Sequence, residues 1–391
     1  MNRFLQIHLL TSYPPANLNR DDLGRPKTAK MGGVDRLRIS SQANKRAWRT
    51  SDIFEKGMAG HIGKRTKEMG LKIYDELTKR GVTHTDAIEW AKPIAGVFGK
   101  LKEQSKKEKE GLKGLDEKEQ KKKELTELEI EQLAFFDTEE EKAVFALAAA
   151  IAERREGPKD EELKLLRETM HAVDIALFGR MLASAPSYNV EAACQIAHAI
   201  SVHPVVIEDD YFTAVDDLND GSEDVGAAHI GETGFAAGLF YAYICVNTEL
   251  LAGNLNDPVL AARGIRALTE AAVKVPPEGK QSSFGSRAYA SYVLAEKGDQ
   301  QPRSLSIAFL KPITGADYGT DAISALTTHL NNIDKVYGAC ADERFYINAL
   351  NGSGGIYLAD EDGTKKDPSP DAKEEKNDRS LFDQLLDFVS K

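Results

Sequence analysis

The sequence predicts an α+β fold from three features of its hydrophobic pattern. Phe4–Thr11 reads as a buried strand, and residues 234–247 are apolar on both faces, as in a central strand. Residues from about 55 to 182 read as largely helical. Because strands and helices interleave without a regular strand–helix–strand rhythm, α+β is favoured over a parallel α/β sheet.

Composition is that of a globular protein with real cores. The chain has 391 residues, of which 41% are apolar, and this length suggests two or three compact units of roughly 150 residues each. No apolar run approaches the ~20 residues of a membrane span, and the first ten residues do not read as a signal peptide. Cys194, Cys245 and Cys340 lie far apart without a CxxC motif, so we expect a reduced, cytoplasmic protein without disulfides or zinc.

Basic charge is concentrated near the N-terminus. Between residues 17 and 50, nine basic and three acidic residues give a local charge of +6, so the net charge of −11 leaves −17 for the rest. Phosphate binding depends on such a local patch, whereas most charge runs are simply solvated surfaces. Charge alone therefore leaves nucleic-acid binding open. The basic residues are Arg20, Arg25, Lys27, Lys30, Arg36, Arg38, Lys45, Arg46 and Arg49.

A helix is predicted directly after a short strand at residues 36–39. Ser40 or Ser41 supplies the expected N-cap. Residues at offsets of three, four and seven share one face of this helix, while Ala43 and Ala47 lie on another face that suits close packing. Residues 12–30, rich in proline and asparagine, form a loop of the kind that more often carries function than packing. The residues on the shared face are Gln42, Lys45, Arg46 and Arg49.

Strict alternation of apolar and polar residues predicts a half-buried strand at residues 188–203. His198 falls on its apolar face, and we interpret it as a hydrogen-bonded core histidine. Residues 204–233 then form a loop of about thirty residues, a length that usually has a functional reason.

Four further elements are predicted toward the C-terminus, namely helices at 257–275, 321–337 and 380–389 and a strand at 304–309. Two polar stretches, 101–142 and 360–379, are interpreted as exposed or mobile segments.

Motifs of the common enzymes are missing, since the chain contains no HExxH, GxSxG or GxGxxG pattern. Asp21 and Asp22 suit either a magnesium ion or the orientation of Arg20, and we favour the second interpretation. Asp35 is a candidate general base of a ribonuclease, but a lone carboxylate does not identify one.

Six stretches spread through the first 218 residues carry a family signature: LNRDD (18–22), GG (32–33), RISSQANKRAWR (38–49), IALFGRM (175–181), AHAIS (197–201) and DYFTAVDDL (210–218). They resemble the Cas-seven family of CRISPR-associated proteins, in particular the CasC backbone subunits of type I-E Cascade complexes. The resemblance runs in order from residue 4 to about residue 250, and more weakly onward through Lys280 and Gln281.

This resemblance implies a modified RRM-like (ferredoxin-like) palm with a helical fingers insertion and a β-hairpin thumb. It also implies a non-catalytic subunit that polymerises along CRISPR RNA and displaces bases at regular intervals, so that the guide can pair with target DNA. The implied divisions are palm at 1–54, 183–203 and 234–391, fingers at 55–182, and thumb at 204–233.

Carried over residue by residue, the resemblance implies a set of RNA contacts: Arg20, Lys27, Ser40, Gln42, Lys45, Arg49, Met181, Leu218 and Lys280. Met181 and Leu218 would flank the displaced base, and the others would hold the RNA backbone. The implied partners are CRISPR RNA, other copies of the chain, other Cascade subunits and, through the guide, target DNA, with no cofactor, metal or membrane. The alternative is a type III-like subunit that cuts target RNA with Asp35.

Overall fold

The computed structural model describes residues 2–103, 124–214, 229–357 and 379–391. The chain divides into two compact units, one of residues 1–57, 194–249 and 262–391 and the other of residues 58–193 and 250–261. Within the described ranges, no helix is both long and apolar enough to cross a membrane. The predicted segment at 360–379 lies almost wholly outside the described residues, as does the middle of the charged stretch at 101–142.

The first unit is built on an antiparallel sheet with ten strands among the described residues. These strands are β1 (Phe4–Ala16), β2 (Thr28–Met31), β3 (Val34–Ile39), β6 (Cys194–Ile196), β7 (Ala199–Ser201), β8 (Glu208–Ala214), β9 (His229–Asn247), β10 (Tyr292–Gly298), β11 (Glu343–Asn348) and β12 (Ser353–Ile356). Their spatial order is β12-β11-β10-β1-β9-β7-β3-β2, and β6 and β8 also pair with β9. The second unit contains the pair β4 (Lys64–Thr66) and β5 (Ala134–Phe136).

Helices complete both units, and the mixture of helices with a large antiparallel sheet confirms the α+β class. They are α1 (Ser41–Arg49), α2 (Asp52–Gly57), α3 (Met69–Lys79), α4 (His84–Gly96), α5 (Thr138–Arg154), α6 (Val173–Phe178), α7 (Thr248–Leu255), α8 (Pro258–Lys274), α9 (Gln281–Phe284), α10 (Tyr318–Tyr337) and α11 (Leu381–Ser390). The predicted helices at 257–275, 321–337 and 380–389 are therefore confirmed.

Strand β9 occupies the centre of the sheet, as its two apolar faces predicted. Its 19 residues pair with β1 along one edge and with β6, β7 and β8 in succession along the other. Residues 229–235 of β9 form a hairpin with β8, and residues 236–247 continue into the sheet. Within the predicted loop at 204–233, residues 208–214 and 229–233 form two strands, whereas residues 215–228 lie outside the described part of the chain.

The prediction of one continuous strand at 188–203 is wrong, because a bulge divides it into β6 and β7. Ile196 lies opposite Ile244, whereas Ile200 lies opposite Tyr241, so four steps on one strand match three on the other. One extra residue shifts the alternation of the side chains. His198 therefore points to the exposed side, and it is not the core histidine that the alternation predicted.

The predicted strand at 304–309 is also wrong, because Ser306–Phe309 forms a 3-10 turn. Leu305 and Phe309 are buried on one side of this turn, while Ile307 is 56% exposed. Both buried residues join a core formed between α10 and the sheet. A helical turn buries these two residues because they are four positions apart, although alternation had predicted a strand. The core also includes Leu10, Tyr241, Tyr292, Leu294, Ala322, Leu326, Leu330 and Tyr346.

The second unit has its own core, formed by α3, α4 and α5 with residues from the two-stranded sheet. Asp137 and Glu140 form a capping box at the start of α5. Glu140 also pairs at 2.6 Å with Arg180, and both side chains are fully buried. Removal of one partner would leave the other charge buried without compensation, so the pair fixes the end of α6 against α5.

A buried ionic network fastens β1, β10, β11 and α10 together. The carboxylate of Glu296 accepts hydrogen bonds from His8 Nε2 at 2.9 Å, Arg303 Nη1 at 2.5 Å and Arg344 Nε at 2.7 Å. Arg344 Nη2 also lies 2.6 Å from an oxygen of Asp334 on α10. Each buried charge therefore has a partner of opposite sign, which a buried ionic group requires.

His8 is neutral in this network. Its Nε2 donates to the Glu296 carboxylate, so Nδ1 accepts the hydroxyl proton of Tyr241 at 2.9 Å. Complete burial lowers the pKa of His8, although the Glu296 carboxylate opposes that effect. Burial alone would raise the pKa of Glu296, but the His8 hydrogen bond and the Arg303 charge hold it well below the usual range.

This burial predicts a pH dependence of stability. An unfolded histidine titrates near pH 6.5, and folding lowers the pKa of His8, so below pH 6.5 the unfolded chain binds the extra proton. His8→Gln removes the group that binds this proton, while it keeps an amide donor for Glu296. Between pH 5.5 and 6.5, we expect the variant's unfolding free energy to depend less steeply on pH, by up to about 1.4 kcal/mol per unit. Urea titrations at several pH values measure this, and an unchanged slope would contradict a neutral His8.

Candidate nucleic-acid interface

Helix α1 presents a basic face because its opposite face is buried. The Ser40 side chain accepts a hydrogen bond from the Ala43 amide at 3.3 Å and so caps the helix, as predicted. Ala47 and Trp48 are buried at 3% exposure each. Of the predicted RNA contacts in this region, Gln42 is exposed, Lys45 and Arg49 are half-buried, and Ser40 is buried behind its capping bond.

The loop before α1 is attached to the helix by Asn19. Its side-chain oxygen accepts from the Ser40 amide at 2.9 Å, and its backbone oxygen accepts from the Lys27 amide at 2.8 Å. These bonds place the exposed Arg20 and the half-buried Lys27 on the same loop beside α1. The sequence did not single out Asn19, since an asparagine within a polar loop gives no pattern to detect.

Asp21 organises this loop rather than orienting Arg20, which corrects our preferred interpretation. One of its carboxylate oxygens accepts the amides of Leu23 and Arg25, each at 2.9 Å. Such a side-chain-to-backbone turn is a common use of aspartate in loops.

An open depression of about 540 Å³ lies between this loop, α1 and residues 277–279. Arg20 and Arg46 line this depression. Three acidic residues also line it, namely Asp21, Asp22 and Glu278. Gly279 approaches the loop so closely that a Cβ there would lie 2.1 Å from the Leu18 carbonyl oxygen. Only glycine therefore permits this close approach.

Arg36 does not belong to the basic surface formed by α1 and the loop of residues 17–27, although it contributed to the local charge of +6. Its side chain is completely buried and donates to the carbonyl oxygens of Met31 at 3.2 Å, Ser201 at 2.9 Å and Phe309 at 2.9 Å. It joins β2, β7 and the 306–309 turn. A charge count along the sequence cannot separate such an internal guanidinium from exposed ones.

His198 lies instead at the edge of the basic surface. Its Nδ1 accepts the Ser41 amide at 3.1 Å and lies 3.5 Å from Arg38 Nη1, so the ring proton resides on Nε2. Partial burial, followed by the charges of Arg38 and Lys27, lowers the pKa of His198. The histidine is therefore a neutral donor next to cationic side chains.

The remaining predicted contacts are distributed over the chain. Lys280, at a positive φ of 46°, donates from Nζ to the Thr233 hydroxyl at 2.9 Å, beside the hairpin. Met181 belongs to the second unit, where it is 74% exposed at the rim of a cavity of about 270 Å³ that Phe98, Leu133 and Leu182 also line. Leu218 lies outside the described residues.

Asp35, the candidate general base, is exposed on β3 opposite Lys30. Among the residues that the structure describes, no group of three or more histidine, cysteine or acidic side chains is arranged to hold a metal ion.

The profile of the CT1975-like protein family matches residues 5–358. The chain belongs to this family. One chain of a CRISPR RNA-guided surveillance complex in a pre-nicking state has the same fold, with a TM-score of 0.77 and 27% identity over 99% of this chain and 100% of that one. A chain of another CRISPR RNA-guided surveillance complex shares the fold, with a TM-score of 0.67 and 24% identity over 98% and 99% of the two chains. No curated protein matches the sequence.

In this CT1975-like protein, seven of the nine predicted contacts belong to the first unit and one to the second. Bonds through Asn19 bring Arg20, Lys27, Ser40 and α1 together, whereas Lys280 lies beside the hairpin. Sequence reasoning missed Asn19, which shapes this surface without adding charge.

Arg36 and Arg46 provide a test of which arginines are structural. Arg36→Leu removes the donor from three carbonyl groups, and each buried group left unsatisfied costs about 1–3 kcal/mol. We expect a loss of about 3 kcal/mol or more in unfolding free energy, measured with urea. Arg46→Leu, at an exposed position of α1, is the matched control and should change stability by about 0.5 kcal/mol or less. Equal losses in the two variants would refute the internal role of Arg36.

Proposed function

We propose that this protein is the CRISPR-RNA-binding backbone subunit of a type I-E Cascade surveillance complex. The observation that carries the proposal is the capped, basic helix α1 joined through Asn19 to a loop with further basic residues. The likeness over 99% of the chain to a subunit from a CRISPR RNA-guided surveillance complex supports it.

The basic surface suits the binding of RNA backbone rather than the reading of bases. Lysine and arginine neutralise phosphates and release counterions, which gives affinity without sequence preference. A guide-binding protein has to accept many sequences, because base pairing with the target supplies the specificity. The contacts we assign to the RNA backbone are Arg20, Lys27, Ser40, Gln42, Lys45, Arg49 and, more weakly, Lys280.

In this proposal the first unit corresponds to the palm, the second unit to the fingers, and the hairpin of β8 and residues 229–235 of β9 to the thumb. Met181 on the fingers and Leu218 on the thumb would flank one displaced base in each repeat. Exposed apolar side chains suit this task, since an unstacked base offers an apolar face. Met181 is exposed, as the role requires.

The proposed subunit acts by assembly and carries out no chemistry of its own. Copies of the chain would join head to tail along the guide in the cytoplasm, so two different surfaces of each copy must fit together. Other Cascade subunits would bind the ends of this filament, and target DNA would pair with the exposed guide segments.

Removal of cations from α1 tests the RNA surface. For single-stranded nucleic acid, each phosphate contact contributes about 0.7 to the slope of log affinity against log salt. We therefore expect Lys45→Ala plus Arg49→Ala to lower the slope by about 1.4 per subunit. The loss should be nearly equal for two unrelated guides, because backbone contacts carry no base information. Filter binding or fluorescence anisotropy at four salt concentrations measures both quantities.

Lys335→Ala serves as the control, since Lys335 is exposed near the end of α10 and is not assigned to RNA. Its slope should equal that of the wild type. An unaltered slope in the double variant, or a loss confined to one guide, would remove α1 from the interface.

Shortening the hairpin tests the thumb. When residues 204–233 are replaced by a short Gly-Ser turn, we expect a folded palm, because residues 236–247 of β9 keep their pairing with β1 and β6. The assembled variant should no longer displace bases at regular intervals. Chemical probing of base accessibility along the guide measures this, and an unchanged pattern of displaced bases would exclude the hairpin.

A further inference from the structure

Within the first unit, the loop of residues 17–27 is bonded to the root of the hairpin. Asn17 at the start of the loop, and Arg25 and Pro26 near its end, all contact residues of the hairpin root. The root is formed by β8 from Glu208 and by β9 up to Phe235, with Asp209 opposite Gly234. The same short segment thus carries candidate RNA contacts and holds the hairpin.

Asn17 makes the central connection. Its side chain is completely buried, and its Nδ2 donates to the carbonyl oxygens of Gly24 and Gly234, each at 2.9 Å. One amide group therefore ties the tip of the loop to β9. Among the residues that the structure describes, its Oδ1 has no hydrogen-bond partner and is therefore an unsatisfied buried acceptor.

Close packing reinforces this connection. A Cβ on Gly234 would lie 3.2 Å from Pro26 Cδ and 3.3 Å from Ile207 Cγ2, so a side chain there would push Pro26 or Ile207 away by a few tenths of an ångström. Arg25 Nη2 lies 3.0 Å from Asp209 Oδ1, but both side chains are nearly half exposed, and a surface ion pair of this kind adds little. The buried amide and the glycine contact therefore dominate.

The loop is also fixed to the basic surface. Asn19, two residues after Asn17, accepts the Ser40 amide at the start of α1 and the Lys27 amide at the end of the loop. Through Asn17 and Asn19, the loop therefore connects the hairpin root to the start of α1.

We propose that Asn17 is a positioning residue that sets the direction of the hairpin relative to the basic surface, and thereby the regular interval at which bases of the bound RNA are displaced. The inference rests on the proposed function, because it assigns the hairpin to base displacement. It goes beyond that function by naming a residue that need not touch RNA.

Asn17→Asp is the decisive variant, because it keeps the shape of the side chain but replaces both amide hydrogens with a carboxylate that faces two carbonyl oxygens. Asn332→Asp makes the same chemical change at an exposed position of α10 and is the matched control. Gly234→Ala tests the same connection by an independent route, through the close contact with Pro26.

Two readouts are measured on the complex assembled on CRISPR RNA. Hydrogen exchange of amides in residues 208–213 and 231–235 should accelerate about tenfold or more in Asn17→Asp, because two hydrogen bonds are lost. Chemical probing should show displaced bases at irregular positions. In Gly234→Ala, which changes no charge, the dependence of RNA affinity on salt should stay as in the wild type.

The outcomes separate the inference from the proposed function. If the wild type shows no regular displaced bases, the proposed function fails. If the wild type shows them and Asn17→Asp retains both the interval and the exchange rates, the positioning role is wrong. If Asn17→Asp does not fold, Gly234→Ala decides: an irregular interval supports the role, and an unchanged interval contradicts it.

Discussion

The structure depends on one long central strand. β9 has hydrogen-bonded partners along both edges, with β1 on one side and β6, β7 and β8 on the other. The same strand forms half of the hairpin and half of the sheet's central pair. The hairpin is therefore a direct extension of the central strand of the sheet.

Buried polar side chains connect the neighbouring elements to this strand and to each other. Tyr241 on β9 joins His8 and, through it, the buried Glu296. Arg36 binds carbonyl groups of β2, β7 and the 306–309 turn. These groups are buried and hydrogen-bonded, so the loss of one partner costs more than the loss of an exposed contact. The charges of this network are distinct from the cations of α1, of which Arg46 is exposed and Lys45 and Arg49 are half-buried.

The strands and helices with long, clear patterns were predictable from sequence. Residues 234–247 form a continuous apolar run, as in a buried central strand, and α8 has an apolar face with helical spacing. Ser40 is a typical N-cap before α1. The bulge at residues 197–199 was not predictable, because one extra residue leaves the alternation intact in sequence while reversing it in space. The strand prediction at 304–309 failed for a related reason, because a short run of apolar and small residues fits the period of a strand as well as that of a helical turn.

Some charged residues of the candidate site were predictable from the sequence. Arg20, Lys27 and α1 followed from the basic run, and the family resemblance added Met181 and Lys280, whose roles no local pattern indicates. Arg36 could not be excluded from the run, because burial of a guanidinium depends on carbonyl groups far away in sequence. Asn17 and Asn19 could not be found, since their importance lies in backbone groups that only the folded loop brings within reach.

The central claim is that this protein assembles along CRISPR RNA and holds it at the surface of α1. Electron microscopy of the chain expressed together with CRISPR RNA tests this most directly. The account predicts repeated copies along one RNA strand, with the phosphates against α1 and the loop at residues 17–27. Particles without RNA, or RNA density away from this surface, would contradict it.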